Sequence, residues 1–147
     1  MEMADLQAKK VTRFQKVQVW IHARTMRGVR KVLLLRTIEK RGNFWQPITG
    51  KVERGETPVM AALREAHEET GIQFVQKPRS LNYKFFFTTE EGSVAEEFCF
   101  ALEIYQTRKI KLDPKEHVES KWVEVSEAME LLKFDTNREG LKRLGAR

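Results

Sequence analysis

The chain has 147 residues, 41% of them hydrophobic and 33% charged, with a net charge of +6. These values suit a single domain over residues 1–147 with a sizeable core, and they exclude a membrane-spanning helix, which needs roughly eighteen or more consecutive apolar residues. The polar start MEMADLQAKKVTRF lacks the apolar stretch of a secretory signal and the lone Cys99 cannot form an internal disulfide, so a soluble, cytoplasmic protein with no membrane partner is expected.

The first predicted element is a half-buried strand over Phe14–Ala23, FQKVQVWIHA, where apolar and polar residues alternate. A turn centred on Gly28 leads to the apolar run Val32–Leu35, and the two strands form a hairpin. Glu39–Asn43 reads as a loop before FWQPIT, Phe44–Thr49. Thr57 as N-cap, Pro58 in the first turn and Gly71 as the closing residue then bracket a helix. Within it Val59, Leu63, Ala66 and Thr70, with Ala62 at the edge, form the predicted buried stripe. Leu81–Thr88 and Val94–Tyr105 are long strand candidates joined by a polar turn, and Lys121–Val125 is a short one. Phe98 and Phe100 place Cys99 in a strand as a buried structural thiol. Ser126–Leu144 reads as two short helices broken around Phe134–Thr136, with Ser126 and Asp135 or Thr136 as caps. This order of elements predicts an α/β fold, a mixed sheet flanked by helices.

Charge is unevenly distributed. Between Gly50 and Ile72 stand five glutamates and three basic residues, Lys51, Arg54 and Arg64, so this segment carries −2 and the remainder +8. An acidic focus in a basic protein suits a site that gathers divalent cations and attracts phosphates. On the predicted helix Glu65, Glu68 and Glu69 fall at i, i+3 and i+4 and share one face, where like charges repel by a few tenths of a kcal/mol per pair, roughly. A hard divalent cation would remove that repulsion, because carboxylate oxygens are its preferred ligands. The alternative is a solvated acidic face.

The string GKVERGETPVMAALREAHEETGI sets Gly50, Glu56, Arg64-Glu65, Glu68-Glu69, Gly71 and Ile72 at the fixed spacings of the Nudix box, with Ala66 at another apolar position. On this motif the chain resembles the Nudix hydrolases. The resemblance implies the Nudix α/β/α sandwich, in which the box forms a loop-helix-loop unit against a mixed β-sheet. It implies that Glu65, Glu68 and Glu69 bind metal, that the Gly50 carbonyl is a further ligand, and that Glu56 and Arg64 pair to fix the helix against its loop. The expected cofactor is Mg²⁺, with Mn²⁺ as a substitute and two to three ions in the presence of substrate. The expected reaction is in-line attack of water on a phosphoanhydride. The general base stays open between Glu68, Glu69 and an outside candidate, Glu116, which is also a candidate metal ligand, with Glu119 behind it. His22, His67 and His117 are read as structural or surface residues. A non-catalytic nucleotide- or RNA-binding module of the same fold would be expected to carry a degenerate box, and here every box glutamate is present.

Looser similarities in FWQPITGKVERGET, in the segment around Glu116 and Trp122, and in FDTNREGL resemble bacterial nucleoside triphosphate and dihydroneopterin triphosphate pyrophosphohydrolases. The expected substrate is therefore a nucleotide, a purine-preferring (d)NTP such as dGTP. Asn137 is a candidate reader of a purine edge, since a carboxamide both donates and accepts; a turn asparagine is the alternative. Arg36 and Lys51 are candidate phosphate contacts and Phe85 a candidate base-stacking residue, although core packing is the expected role of most of Tyr83, Phe85 and Phe87. Glu96 and Glu97 are read as loop or strand-edge charges. The 5′-triphosphate end of RNA is a second candidate substrate, its backbone held by basic residues drawn from Lys9, Lys10, Arg13, Arg24, Arg27, Arg30, Lys31, Arg108, Lys109 and Lys111. Monomer and homodimer both remain open, with strand edges near Val17 or Val94 as candidate pairing surfaces.

Overall fold

The computed structural model describes residues 12–145. Alternation along β1 (Arg13–Arg24) organises it: Val17, Val19 and Ile21 face one side of the sheet, and Trp20 faces the other. This strand runs antiparallel to β2 (Arg30–Thr37) and to β4 (Ile48–Lys51), and parallel to β6 (Val94–Gln106). The short β3 (Trp45–Gln46) and β7 (His117–Val123) pair with β2, and β5 (Arg79–Thr88) closes the far edge on β6. The sheet is mixed, as the order of elements predicts.

Helix α1 (Pro58–Thr70) covers the first face, where Val17, Val19, Ile21, Leu33, Leu35 and Ile48 meet Ala61, Ala62 and Ala66. Helices α2 (Val125–Leu131) and α3 (Asp135–Lys142) cover the second, where Trp20, Leu34, Cys99 and Leu132 are buried. The result is the expected α/β/α sandwich. Cys99 is buried among these side chains, and burial pushes its thiol above the usual pKa.

The helix ends of α1 follow the predicted chemistry. The Met60 amide donates to Thr57 Oγ1, Pro58 stands in the first turn, and Gly71 closes the helix at φ +75°. Its buried stripe differs from the expected one. Leu63 is exposed, and the contact is made by Ala61, Ala62, Ala66 and Thr70 with Val59 partly buried. The large residues come from the sheet, so small ones on the helix let its backbone approach β4 closely.

Four further expectations are corrected. Strand β7 begins at His117 rather than Lys121 and carries that histidine beside Thr37. Glu39–Arg41 is not a plain loop but a 3₁₀ turn. Ser126, Asp135 and Thr136 are not caps: Glu124 and Phe134 hold those positions without side-chain cap bonds, and Asp135 pairs with Arg138 instead. Arg138 donates to the carbonyls of Met129 and Leu132, which closes the corner between the two helices. Neither proposed pairing edge is free, since Val17 lies between β4 and β6 and Val94 pairs with Thr88. No helix among the described residues is long and apolar enough to cross a membrane.

Candidate active site

Register places the site. Pairing of β1 with β4 sets Gly50 beside Val17, at the end of the strand that leads into the loop before α1. That loop is held by Glu56, which accepts the Glu53 amide at 2.9 Å and two bonds from Arg64, Nε to Oε2 at 2.7 Å and Nη2 to Oε1 at 3.0 Å. Arg64 Nη2 also donates to the Lys51 carbonyl at 2.9 Å, so one guanidinium ties helix, loop and strand together. Its hydrogen bond to Glu56 holds the Glu56 carboxyl below its usual pKa and its own above.

Glu65 lies over Gly50. A Cβ at residue 50 would collide with the Glu65 carboxyl, so this approach requires bare backbone. Burial pushes the Glu65 pKa up to about 7 against the opposing pull of Arg64, and the charges of Glu69 and Glu68 add to the rise. Glu69 is buried, and burial raises its pKa too, with the nearby Glu116 charge adding to the effect and His117 opposing it. His117 Nδ1 lies 3.1 Å from Glu69 Oε2, a buried contact that pulls the Glu69 pKa down against the effect of burial. Glu68 is exposed, 3.3 Å from Arg64 Nη1.

These groups surround a cavity of about 490 Å³ lined by Gly50, Lys51, Glu65, Glu68, Glu116 and His117, with Lys16, Arg41 and Thr49 on its other walls. Arg41 pairs with Glu116 at 2.8 Å. Among the described residues no three His, Cys, Asp or Glu side chains converge closely enough to hold an ion unaided, and Arg64 spans Glu65 and Glu68 instead. The lining nonetheless fits a hard divalent cation: the carboxylates of Glu65, Glu68 and Glu116 and the backbone of Gly50, with Glu69 next to Glu68 on the same helix and room for water and phosphate oxygens.

A second cavity, about 430 Å³, adjoins the first and shares Lys16, Phe44, Gln46 and Thr49 with it. Phe85, Phe87 and Phe134 make its walls apolar, and Asn137 and Glu97 bring polar atoms to it. Asn137 is buried and its Oδ1 has no partner. Glu97 is no edge charge, because it is only 4% exposed. It accepts from Gln18 Nε2 at 3.1 Å, and Trp20 Nε1 in turn donates to Gln18 Oε1 at 2.7 Å. Burial raises the Glu97 pKa, partly offset by Lys16, whose Nζ is 3.9 Å away.

Of the residues singled out from sequence, Gly50, Lys51, Glu65, Glu68 and Glu116 line the first cavity, with Glu69 directly behind it and Glu56 and Arg64 supporting it. Phe85 and Asn137 line the second. Arg36 reaches neither cavity: it is held by Glu119 at 3.0 Å and by Asn43, which also removes Glu119 from the site. His67 sits at the end of α1, its Nδ1 2.9 Å from the Ile72 carbonyl oxygen, and His22 lies at the far end of β1. The sequence patterns single out neither Lys16, Gln18 nor Arg41, mark Glu97 as a loop or strand-edge charge, and leave His117 between a structural and a surface role, whereas both Glu97 and His117 are buried. Only the polar residues within the otherwise apolar strand FQKVQVWIHA hinted at an inward-facing polar group.

A family model described as NUDIX domain matches residues 15–144. The Myxococcus xanthus octanoyltransferase is 39% identical over 119 residues, 79% of this chain, but the chain spans only about a third of that relative's length, 32%. Escherichia coli dihydroneopterin triphosphate diphosphatase is 30% identical over 113 residues, 69% of this chain and 74% of the relative. The solved E. coli dihydroneopterin triphosphate pyrophosphohydrolase superposes with a TM-score of 0.76 at 28% identity, over 91% of this chain and 97% of that one. A shorter match, 44% over 46 residues (31% of this chain, 29% of the relative), is to a Pelagibacter ubique RNA pyrophosphohydrolase. With the box geometry and a domain match over nearly all its described length, the chain belongs to the Nudix hydrolase family.

Proposed function

We propose that the chain hydrolyses a nucleotide-like triphosphate whose ring is a guanine or a pterin, releasing pyrophosphate. The observation that carries this reading is the junction of two cavities, one acidic with cations at its rim and one aromatic, through their shared residues Lys16, Phe44, Gln46 and Thr49.

The carboxylates of Glu65, Glu68 and Glu69 and the Gly50 carbonyl would hold Mg²⁺ or Mn²⁺, two to three ions with substrate, and Glu116 is a further candidate ligand. When bound, the ions supply Lewis-acid chemistry, drawing charge from the phosphoanhydride and making water more acidic. Lys16, Arg41 and Lys51 bind phosphate oxygens from the opposite walls. Water attacks phosphorus in line, the bond to the bridging oxygen breaks, and the water's proton passes to Glu68, Glu69 or Glu116. Arg64 and Glu56 keep the helix at the right distance from β4 and take no proton.

In the second cavity Phe85 and Phe87 offer ring faces for a planar heterocycle. Glu97 as a carboxylate only accepts, whereas Asn137 donates and accepts, so together they complement an edge with amino and ring N–H donors beside a carbonyl acceptor. Guanine and the 2-amino-4-oxo pterin ring share that edge. The printed name of the E. coli relative, a dihydroneopterin triphosphate enzyme, supports the pterin arm, and that of the P. ubique relative leaves 5′-triphosphate RNA as a second substrate class.

The test is pyrophosphate release with Mg²⁺ across dGTP, dCTP, dihydroneopterin triphosphate and 5′-triphosphate RNA. The reading expects kcat/KM for dGTP or the pterin to exceed that for dCTP at least tenfold. Equal turnover of dGTP and dCTP would remove the base-reading role of Glu97 and Asn137. Turnover of RNA alone would make the transcript end the substrate.

A further inference from the structure

About 20 Å along β1 from Lys16, taking six residues at the usual strand rise, His22 and Arg24 leave the sheet beside a separate concavity of about 610 Å³. Arg24, Arg30, Lys77 and Arg79 line it, with Glu103 as its single carboxylate. Register explains the convergence: Arg24 pairs with Arg30 across β1 and β2, His22 pairs with Glu103 across β1 and β6, and Arg79 pairs with Ala101 across β5 and β6. Three strands, β1, β2 and β5, thus deliver one guanidinium group each to one place, and β6 adds Glu103.

Among the described residues none of these four cations has a carboxylate within 4.0 Å, although other arginines of the chain, such as Arg36, Arg41, Arg64 and Arg138, do. Arg30 donates through Nη1 to the Gly145 carbonyl, but its Nε–H is buried and has no hydrogen-bond partner. Burial and the facing charges of Arg24 and Arg79 press the Arg30 pKa below the usual arginine value, and burial with the Arg30 charge lowers His22 to about 4, so that histidine is neutral near pH 7. The Glu103 charge offsets part of this repulsion, but one carboxylate faces four cations and leaves the Arg30 Nε–H unsatisfied. An oxyanion would relieve both, since a phosphate accepts in the planar, forked geometry that guanidinium groups offer.

We infer that Arg24, Arg30 and Arg79, assisted by Lys77, form a second anion site, separate from the hydrolytic one, that takes a phosphate-bearing ligand. Two sources share this chemistry: a free pyrophosphate or nucleotide phosphate, and the phosphodiester backbone of a nucleic-acid strand.

The probes are inorganic pyrophosphate and a 5′-hydroxyl oligoribonucleotide, each titrated in EDTA so that metal-dependent binding at the Glu65 cavity is silent. Binding is followed by the ¹⁵N-resolved signals of backbone amides and arginine Nε–H groups. We expect shifts at Arg24, Arg30 and Arg79, including Arg30 Nε–H, and at least a tenfold weaker affinity in the Arg24→Ala/Arg79→Ala double variant. Both substituted side chains are exposed, so the fold should persist, and pyrophosphate release from a saturating free nucleotide, dGTP, should stay within twofold of wild type. Binding of pyrophosphate by this route assigns the small-anion source. Binding of the oligonucleotide, with affinity falling steeply as salt rises, assigns the backbone source. Shifts confined to the Glu65 cavity, unchanged affinity in the double variant, or no binding of either probe would overturn the inference. The binding outcomes do not depend on the substrate reading, because no turnover is involved in that measurement.

Discussion

The carboxyl of Glu65 occupies the space in which a Cβ on residue 50 would stand. Gly50→Ala therefore forces Glu65 or the strand to move, and overpacking of this kind costs about 1–3 kcal/mol. The expected result is a stability loss of that size by urea unfolding and a fall in activity of at least a hundredfold. The double variant Gly50→Ala/Glu65→Ala should recover much of the stability and none of the activity. Recovery of neither would mean that the strand backbone itself, rather than its contact with Glu65, is sensitive.

Arg64 grips Glu56 with two bonds and the Lys51 carbonyl with a third. Lysine keeps the charge and cannot reproduce the fork. Arg64→Lys should lose about 1.5–3 kcal/mol, the usual range for hydrogen bonds to charged groups, and should raise the metal concentration needed for half-maximal activity, because the loop and helix no longer hold a fixed separation. A thermal melt and a Mg²⁺ titration check the two effects separately.

Burial raises the Glu65 pKa from 4.5 to about 7. In the metal-free protein the folded state then holds more protons than the unfolded chain between those values, so this carboxyl's contribution to stability falls as pH rises from about 4.5 to 7. His22, lowered to about 4, acts with the opposite sign, its contribution growing as pH rises from 4 to 6.5. The clean readout is therefore the wild-type minus Glu65→Gln difference in stability in EDTA, which should become less favourable to wild type from pH 5 to pH 7.5. A pH-independent difference would show that Glu65 titrates normally.

Asn137 and Glu97 line the aromatic cavity, and Asn137 Oδ1 is buried without a partner. Asn137→Ala should raise KM for the preferred triphosphate about tenfold, matching the loss of roughly one hydrogen bond's discrimination, while kcat changes less than threefold. Phe85→Leu should act in the same direction, with both readouts taken from initial-rate kinetics. A loss confined to kcat would place the ring elsewhere.

The local parts of the site were legible in the sequence because helix geometry is local: Thr57, Pro58 and Gly71 define α1, and the spacing of Glu65, Glu68 and Glu69 sets them on one face. Position within the sheet was not. His117 meets Glu69 only because β7 pairs with β2 at Thr37, and Glu97 is buried only because β6 runs parallel to β1 with Lys16 opposite it. Those pairings join residues about eighty positions apart, where no short pattern specifies register. Leu63 misled for a related reason. Its period suits the buried stripe, but the sheet already supplies the large side chains, and alanines fill the contact.

The most direct test of the central claim follows the phosphorus. With Mg²⁺ and the preferred triphosphate, ³¹P spectra should show pyrophosphate and a monophosphate growing together, with no reaction in EDTA and at least a hundredfold slower reaction in Glu65→Gln. Turnover that persists in EDTA, release of single phosphates instead of pyrophosphate, or a Glu65→Gln variant as active as wild type would contradict the assignment of this carboxylate cluster as the hydrolytic centre.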